Sequence, residues 1–216
     1  MEARLIAKWF ICHNYDNPRN TLKGNKKLQK LLYFAQLIHL AKHNKTLFED
    51  PIFAYKNGSV VEDIRLKYKR ENGTFVNEAY QASFDLPPEA LETLYLTETI
   101  FGDASVDELS ELNHQHKGWE IAFLRSKIRG EYVKELAEIS IEDIVQYDIQ
   151  RIKDMIEIHG TISKKQGYIE IKGVKYFYDP REIQMNDEIK KELETFPAEE
   201  KAYQLYNDKN QGLIVF

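Results

Sequence analysis

Cysteine is almost absent from this chain of 216 residues, since Cys12 is the only one. A single cysteine excludes an internal disulfide and every zinc site built on paired cysteines. Long hydrophobic runs are missing too, because no stretch approaches the roughly 20 apolar residues of a transmembrane helix. Residues 1–10 have neither the basic start nor the long apolar stretch of a signal peptide. We therefore expect a cytoplasmic protein that does not enter a membrane, with Cys12 as a small buried side chain.

Sequence motifs of common enzyme classes are also missing. No glycine-rich phosphate loop and no serine nucleophile elbow occurs. His39 and His43 have the spacing of two zinc ligands on a helix, but no glutamate follows His39 as the zinc-protease pattern requires. His114 and His116 form a second pair, whose members point in different directions on a helix. We predict no metal site, no cofactor and no catalytic residue; an enzyme with a site around His39, His114 and Trp119 is the alternative.

What is present is the composition of an ordinary globular protein, with 43% hydrophobic and 30% charged residues. The net charge of −5 is unevenly distributed, since residues 1–45 carry about +7 and residues 71–150 about −12. Oppositely charged segments within one domain indicate complementarity inside the molecule, or a charged face presented to another protein. We do not expect nucleic acid as a partner, because the acidic segment would repel its phosphates.

Hydrophobic periodicity predicts a mainly helical protein. Asn25 to Asn44 is the most apolar of the predicted helices, which places it at the centre of a domain. Residues 47–61 read as a loop with one or two short extended pieces, and residues 74–85 as strand or irregular structure. The other predicted helices cover residues 3–14, 62–69, 87–101, 105–116, a short segment from Gly118, 139–158, 185–196 and 197–206.

The character of the sequence changes after His159. Alternating apolar and polar residues on both sides of Lys172-Gly173 predict a β-hairpin, and residues 213–216 predict a final strand. The fold class is therefore α+β and predominantly α-helical. We predict a compact helical domain over residues 1–158, with an extension over residues 159–216 that contains the hairpin and helices and docks on it.

The central helix contains "KKLQKLLYFAQLIHLAK", residues 26–42, in which a few polar side chains interrupt an apolar surface. In a buried helix each of them needs a hydrogen bond, since an unsatisfied buried group costs about 1–3 kcal/mol. We predict that Gln36 and His39 connect the helix to loops at 54–62 and 110–119. We also expect the side chains of Gln29, Lys30 and Tyr33 to face a binding partner.

Three ordered segments carry a resemblance to a known family. They are "KLQKLLYFAQLIHLA" at 27–41, "LFEDPIFAYKNGSVVEDI" at 47–64 and "ELSELNHQHKGWEIAF" at 108–123. Together they resemble the Panacea antitoxin domain, the SocA-like family that also includes phage-associated GepA-type proteins. The resemblance covers roughly residues 1–130. It implies a structural role for a set of motif residues, which are Gln36, His39, Tyr55, Gly58, His114 and Trp119.

Several positions depart from the pattern of that family. Tyr55 stands where the family has tryptophan, Ser59 where it has proline, Asn113 where it has threonine, and Gly118 where it has the proline before Trp119. Tyr55 keeps an aromatic ring with a polar tip. The chain therefore resembles a divergent member.

The resemblance implies an antitoxin of a bacterial or phage toxin–antitoxin system, which neutralises a cognate protein toxin by direct binding and needs no catalysis of its own. It also implies a cellular protease as a possible second partner, because delivery of the toxin to a protease occurs in the family. The alternative function is that of a phage or host adaptor that presents another protein to a protease or an assembly.

Overall fold

The computed structural model describes residues 1–165, 167–180, 182–208 and 212–215, without the side chains of residues 72, 161–165 and 208. The described residues divide into two compact units, Met1–Asp154 and Met155–Phe216. The predicted domain boundary at residue 158 and the docking of the second part on the first stay predictions. No helix among the described residues is long and apolar enough to cross a membrane.

The first unit is built around helix α2, Leu22–His43, preceded by α1, Ala3–Cys12. Helix α2 begins three residues before the predicted start, because Thr21 caps it by accepting a hydrogen bond from Gly24 N. It ends where Asn44 adopts a left-handed conformation. Every residue from Leu28 to Ala41 is buried, which confirms the prediction of a central helix.

The loop after α2 leads into a hairpin and two short helices. Strands β1, Ile52–Tyr55, and β2, Gly58–Val61, pair antiparallel and confirm the two extended pieces. Helices α3, Glu62–Arg70, and α4, Asn72–Tyr80, follow directly. The interpretation of residues 74–85 as strand or irregular structure is wrong over α4, where Phe75, Val76 and Ala79 bury one helical face.

Three further helices follow, namely α5, Pro88–Phe101, α6, Val106–His114, and α7, Lys117–Arg125. A reciprocal capping box between Ser105 and Glu108 starts α6 as predicted. A small hairpin comes next, with β3 at Lys127–Ile128 and β4 at Glu131–Tyr132, then a 3₁₀ turn at Lys134–Leu136. These short elements have no periodicity long enough to be predicted.

The long helix predicted over residues 139–158 is interrupted. Helix α8, Ile141–Asp143, passes through a π-helical turn, Ile144–Asp148, into α9, Ile149–Lys165. A π turn inserts one residue into the helical repeat and so re-aims the side chains beside it. Asp148 lies at the end of this turn and is buried.

The second unit contains one four-stranded sheet and helix α10, Asp187–Thr195. The strands are β5, Gly167–Ile171, β6, Val174–Tyr178, β7, Ala202–Asp208, and β8, Gly212–Val215, in the order β5-β6-β7-β8. The predicted hairpin at Lys172-Gly173 and the mainly helical α+β fold class are confirmed. The helix predicted over 197–206 is wrong, since β7 pairs parallel with β6 there. Phe216, in the predicted last strand, lies outside the described residues.

Candidate functional site

Gln29 connects α2 to β2. Its Oε1 accepts a hydrogen bond from Val61 N at 2.8 Å, and its Nε2 donates to Asn25 Oδ1 at 3.3 Å. Asn25 Nδ2 donates in turn to Arg65 O at 3.0 Å, which reaches α3. Both amides are buried, and each therefore satisfies backbone groups that would otherwise lack partners.

Gln36 holds the loop after α2. Its Oε1 accepts from Leu47 N at 2.8 Å and from Phe48 N at 3.2 Å, and its Nε2 donates to Phe48 O at 3.1 Å. The predicted connection of Gln36 to 54–62 or 110–119 is therefore wrong. The reason is geometric: Gln36 lies about two helical turns beyond Gln29, so it meets a different segment of the chain.

His39 bonds to α5 instead of a loop. Its Nδ1 lies 2.8 Å from Thr93 Oγ1, and the Thr93 hydroxyl donates to Glu89 O at 2.9 Å. That hydroxyl has one hydrogen, so His39 Nδ1 carries the proton of their shared bond. Burial, then the charge of His43, lowers the pKa of His39. No cluster of three metal-ligating side chains occurs among the described residues.

A second set of polar side chains, which we call the polar network, consists of Tyr33, Ser59, Asn113 and His116. Tyr33 Oη and His116 Nδ1 are 3.0 Å apart. Asn113 Nδ2 donates to Ser59 Oγ at 2.9 Å, and Asn113 Oδ1 accepts from Ser59 N. The network joins α2, β2, α6 and the start of α7 inside the protein.

Two of the departures from the family pattern meet in this network. A proline at position 59 would have neither the N–H nor the hydroxyl that bond Asn113. Ser59 supplies both groups, and Asn113 offers the acceptor and the donor that match them. The two departures therefore compensate each other.

Asp148 caps helix α7 from the π turn. Its carboxylate accepts from Lys117 N at 2.7 Å and from Gly118 N at 2.8 Å. A side chain at Gly118 would come within 3.0 Å of Asp148 Oδ2, so the carboxylate fits closely against glycine. Burial raises the pKa of Asp148. Sequence reasoning missed this residue, because it lies thirty positions from its partner and no spacing signals the contact.

The aromatic motif residues form a cluster near β1. Trp119 Nε1 donates to Tyr55 O at 3.1 Å, and the rings of His114 and Trp119 lie 4.4 Å apart. The Tyr55 ring lies 5.3 Å from that of Tyr132. His114 is exposed as a residue, but its ring is partly covered by Trp119. This partial burial, and then the charge of Lys30, lowers the pKa of His114. No described contact joins this cluster to His39.

A cavity of about 600 Å³ opens beside these groups, and we call it the basic pocket. It is lined by the start of α2, the β1–β2 hairpin and α3. The charged lining residues are all cations, namely Lys26, Lys30, Arg65 and Lys69. Lys30 is the most buried residue of the lining, at 2% exposure, and its Nζ donates to Ser59 O at 3.1 Å.

The predicted partner residues differ in their access to this pocket. Gln29 and Lys30 line it, so partner binding through these two stays a prediction that is restricted to the pocket. Tyr33 has no exposed surface and lies in the polar network. Its described contacts are internal, and they give it a structural role.

Comparison with known families supports the resemblance found in the sequence. Residues 28–120 match the family model described as antitoxin SocA-like, Panacea domain. The match runs from Leu28 in α2 to the first part of α7, and it includes all four residues of the polar network but not Asp148. No curated protein and no solved structure gives a significant match.

Proposed function

We propose that this protein is the antitoxin of a toxin–antitoxin pair and silences a cognate protein toxin by binding it directly, since residues 28–120 match the family model of the SocA-like antitoxins. The match over residues 28–120 carries the proposal, since the family is one of antitoxins. The matched segment includes every motif residue named above. It also includes the bonds by which Gln29, Asn113 and Trp119 connect α2, α6 and α7 to the β1–β2 hairpin.

The bonding of the titratable side chains supports a role that needs no catalysis. His39, His116 and Asp148 are hydrogen-bonded to fixed partners inside the protein. Burial lowers the pKa of both imidazoles, so they are neutral at pH 7 and already engaged. A catalytic general acid or base must instead have a side chain that can exchange a proton directly with the substrate.

Direct neutralisation requires exposed anchors, and tryptophan, tyrosine and arginine are enriched among the few interface residues that dominate binding energy. Tyr80, Tyr95 and Tyr147 are each about half exposed, at 55%, 52% and 49%. The Arg19 guanidinium lies over the Tyr80 ring at 5.3 Å, which adds a second anchor type. These side chains are the first candidates for contact with a toxin.

The first prediction concerns the protein encoded next to this chain. Expressed alone it should arrest bacterial growth, and expressed with the full chain it should form a complex and permit growth. The measurements are colony counts and copurification. His114→Gln should neutralise as well as the native chain, because binding needs no chemistry from this exposed ring, whereas an enzyme with a site at His114 would lose its effect.

Two outcomes would contradict the proposal. A neighbouring protein that is harmless when expressed alone is not a toxin, and the chain would then have no cognate toxin to neutralise. Growth that returns because the toxin disappears, in a way that depends on a cellular protease, would instead identify an adaptor. Immunoblotting of the toxin separates that result from neutralisation, in which the toxin persists in the complex.

A further inference from the structure

We infer that the basic pocket is a binding site for a small phosphate-bearing anion. This inference is independent of the proposed toxin binding, because it rests only on the residues that line the pocket. The arrangement combines a large cavity, cations from two helices and one buried ammonium group that lacks a counter-charge.

The charge of the lining is the first observation. Lys26 and Lys30 lie on successive turns of α2, and Arg65 and Lys69 lie on successive turns of α3. None of the described lining residues carries a carboxylate. Helix α2 also starts at the pocket, so the positive end of its dipole adds to the potential there.

Two carboxylates beside the lining are already paired, and one of them neutralises a lining cation, Arg65. Glu62 pairs with Arg65 at 2.6 and 2.9 Å, and Asp16 accepts from Tyr68 and Arg19. In the part of the chain that the structure describes, Lys26, Lys30 and Lys69 form no ion pair. Three cationic lining groups therefore remain available for a ligand.

Lys30 is the most informative of these groups. It is nearly fully buried, and its one described acceptor is the neutral carbonyl of Ser59. A buried ammonium group is normally paired with an anion or else tends to lose its proton, because removing its charge from water is costly. An anion in the pocket would supply the missing charge and accept the remaining ammonium hydrogens.

The size and the apolar part of the lining define the ligand class. A volume of about 600 Å³ lies within the usual range for small organic ligands. Tyr55 and Val60 provide apolar surface inside, and Leu22 does so at the edge with 73% exposure. Several cations favour an anion with more than one charge, and lysine is a common phosphate ligand. A nucleoside diphosphate meets these requirements.

The second prediction tests binding by calorimetry on the full chain, with inorganic pyrophosphate and adenosine diphosphate as probes. Lys26→Gln should weaken binding at least about fivefold, and Lys30→Met at least about tenfold, since each removes a lining charge. Lys23→Gln is the matched control, because Lys23 is an exposed lysine of the same helix outside the lining. It should change the affinity less than about twofold.

The results of this experiment also distinguish the sources of phosphate. Tighter binding of adenosine diphosphate identifies an organic phosphate, whereas equal binding identifies a site for the phosphate groups alone. Absence of binding by both probes, or equal losses in Lys23→Gln and Lys26→Gln, overturns the inference. Stronger competition by polyglutamate or by a single-stranded oligonucleotide also overturns it, in favour of a macromolecular partner. Lys26→Gln keeps the test valid if Lys30→Met fails to fold.

The third prediction concerns the pH dependence of this binding. Burial, and then the charge of Lys26, lowers the pKa of Lys30 to about 7. The titratable groups that face Lys30 are Lys26 on its own helix and His114 from α6, whose lowered pKa leaves it neutral above pH 7. Bound phosphate stabilises the protonated amine, so affinity should fall at least about tenfold between pH 7 and pH 9 as the protonated fraction falls.

Calorimetry in buffers of different ionisation enthalpy should show proton uptake on binding above pH 7 in the native chain. Lys30→Met corrects for titration of the probe itself, and its affinity should change much less over the same range. An identical pH profile in both proteins would mean that Lys30 does not bind the anion.

Discussion

Replacing Gly58 by alanine should lower the free energy of unfolding of the first unit by about 2–5 kcal/mol. Gly58 has a φ of +98°, which an alanine adopts only with strain. A Cβ at this position would also lie within 3.0 Å of Lys30 Nζ and Asn113 Oδ1, and 2.8 Å from Lys30 Cε. The added methyl group therefore displaces both a pocket residue and a member of the polar network.

Urea denaturation followed by tryptophan fluorescence measures this effect in the first unit. Both tryptophans, Trp9 and Trp119, lie within Met1–Asp154, so the signal does not report on the second unit. The midpoint should fall while the denaturant slope stays the same, which identifies a change in stability.

Gly130→Ala is the matched control for Gly58→Ala. Gly130 also has a positive φ, at +87°, but a Cβ there meets nothing within 4 Å. It should therefore cost only the backbone strain, about 1 kcal/mol. Equal losses in the two variants would show that packing around Gly58 contributes nothing, and would contradict the described geometry.

The difference between these glycines shows which parts of the fold the sequence predicts. The Asn57-Gly58 pair signals a turn from local chemistry alone, and the hairpin is there. What Gly58 touches depends on Lys30 and Asn113, which approach from other helices. Local conformational signals can be read along the chain, whereas contacts between distant segments require the fold.

The polar residues of α2 show the same limit. Burial of the helix could be predicted, and with it the need for hydrogen bonds. The partners of Gln36 and His39 were assigned wrongly, because helical spacing gives the direction of a side chain and not the segment that it meets. The sequence predicts a structural role for His114 and not for His116. The break between α6 and α7 decides which of the two rings is buried, and the sequence does not show the position of this break.

The basic pocket did leave a signal in the sequence. Lys26 and Lys30, like Arg65 and Lys69, have the i, i+4 spacing that places cations on one helical face. The excess of positive charge in residues 1–45 points in the same direction. The sequence does not show that α2 and α3 lie close together. Their proximity in the fold places the two charged helix faces around one cavity.

Acid should destabilise the first unit through His116, by about 3 kcal/mol between pH 6.5 and pH 4. His116 is 1% exposed, and burial, then the charge of Arg151, lowers its pKa from 6.5 to about 4. Between these values the unfolded chain binds a proton that the folded protein does not. Stability from this residue is therefore complete above pH 6.5 and is lost as the pH falls towards 4.

Other titratable groups also change the free energy of unfolding as the pH falls, so the measurement must separate the contribution of His116 from theirs. The lowered pKa values of His39 and His114 act in the same direction, and the raised pKa of Asp148 acts in the opposite one. His116→Asn removes the titration and keeps a polar atom near Nδ1 for Tyr33. It should be less stable than the native chain at pH 7, yet lose about 3 kcal/mol less on acidification.

Denaturation at a series of pH values gives the slope for each protein, and NMR titration of the histidine rings gives the pKa of His116 directly. Parallel slopes, or a ring that titrates near 6.5 in the folded protein, would contradict the prediction. The expected result links this histidine to the stability of the first unit. A neutral imidazole bonded to Tyr33 keeps α2 joined to the start of α7, so protonation of that one ring opposes the packing of the segment that matches the family model.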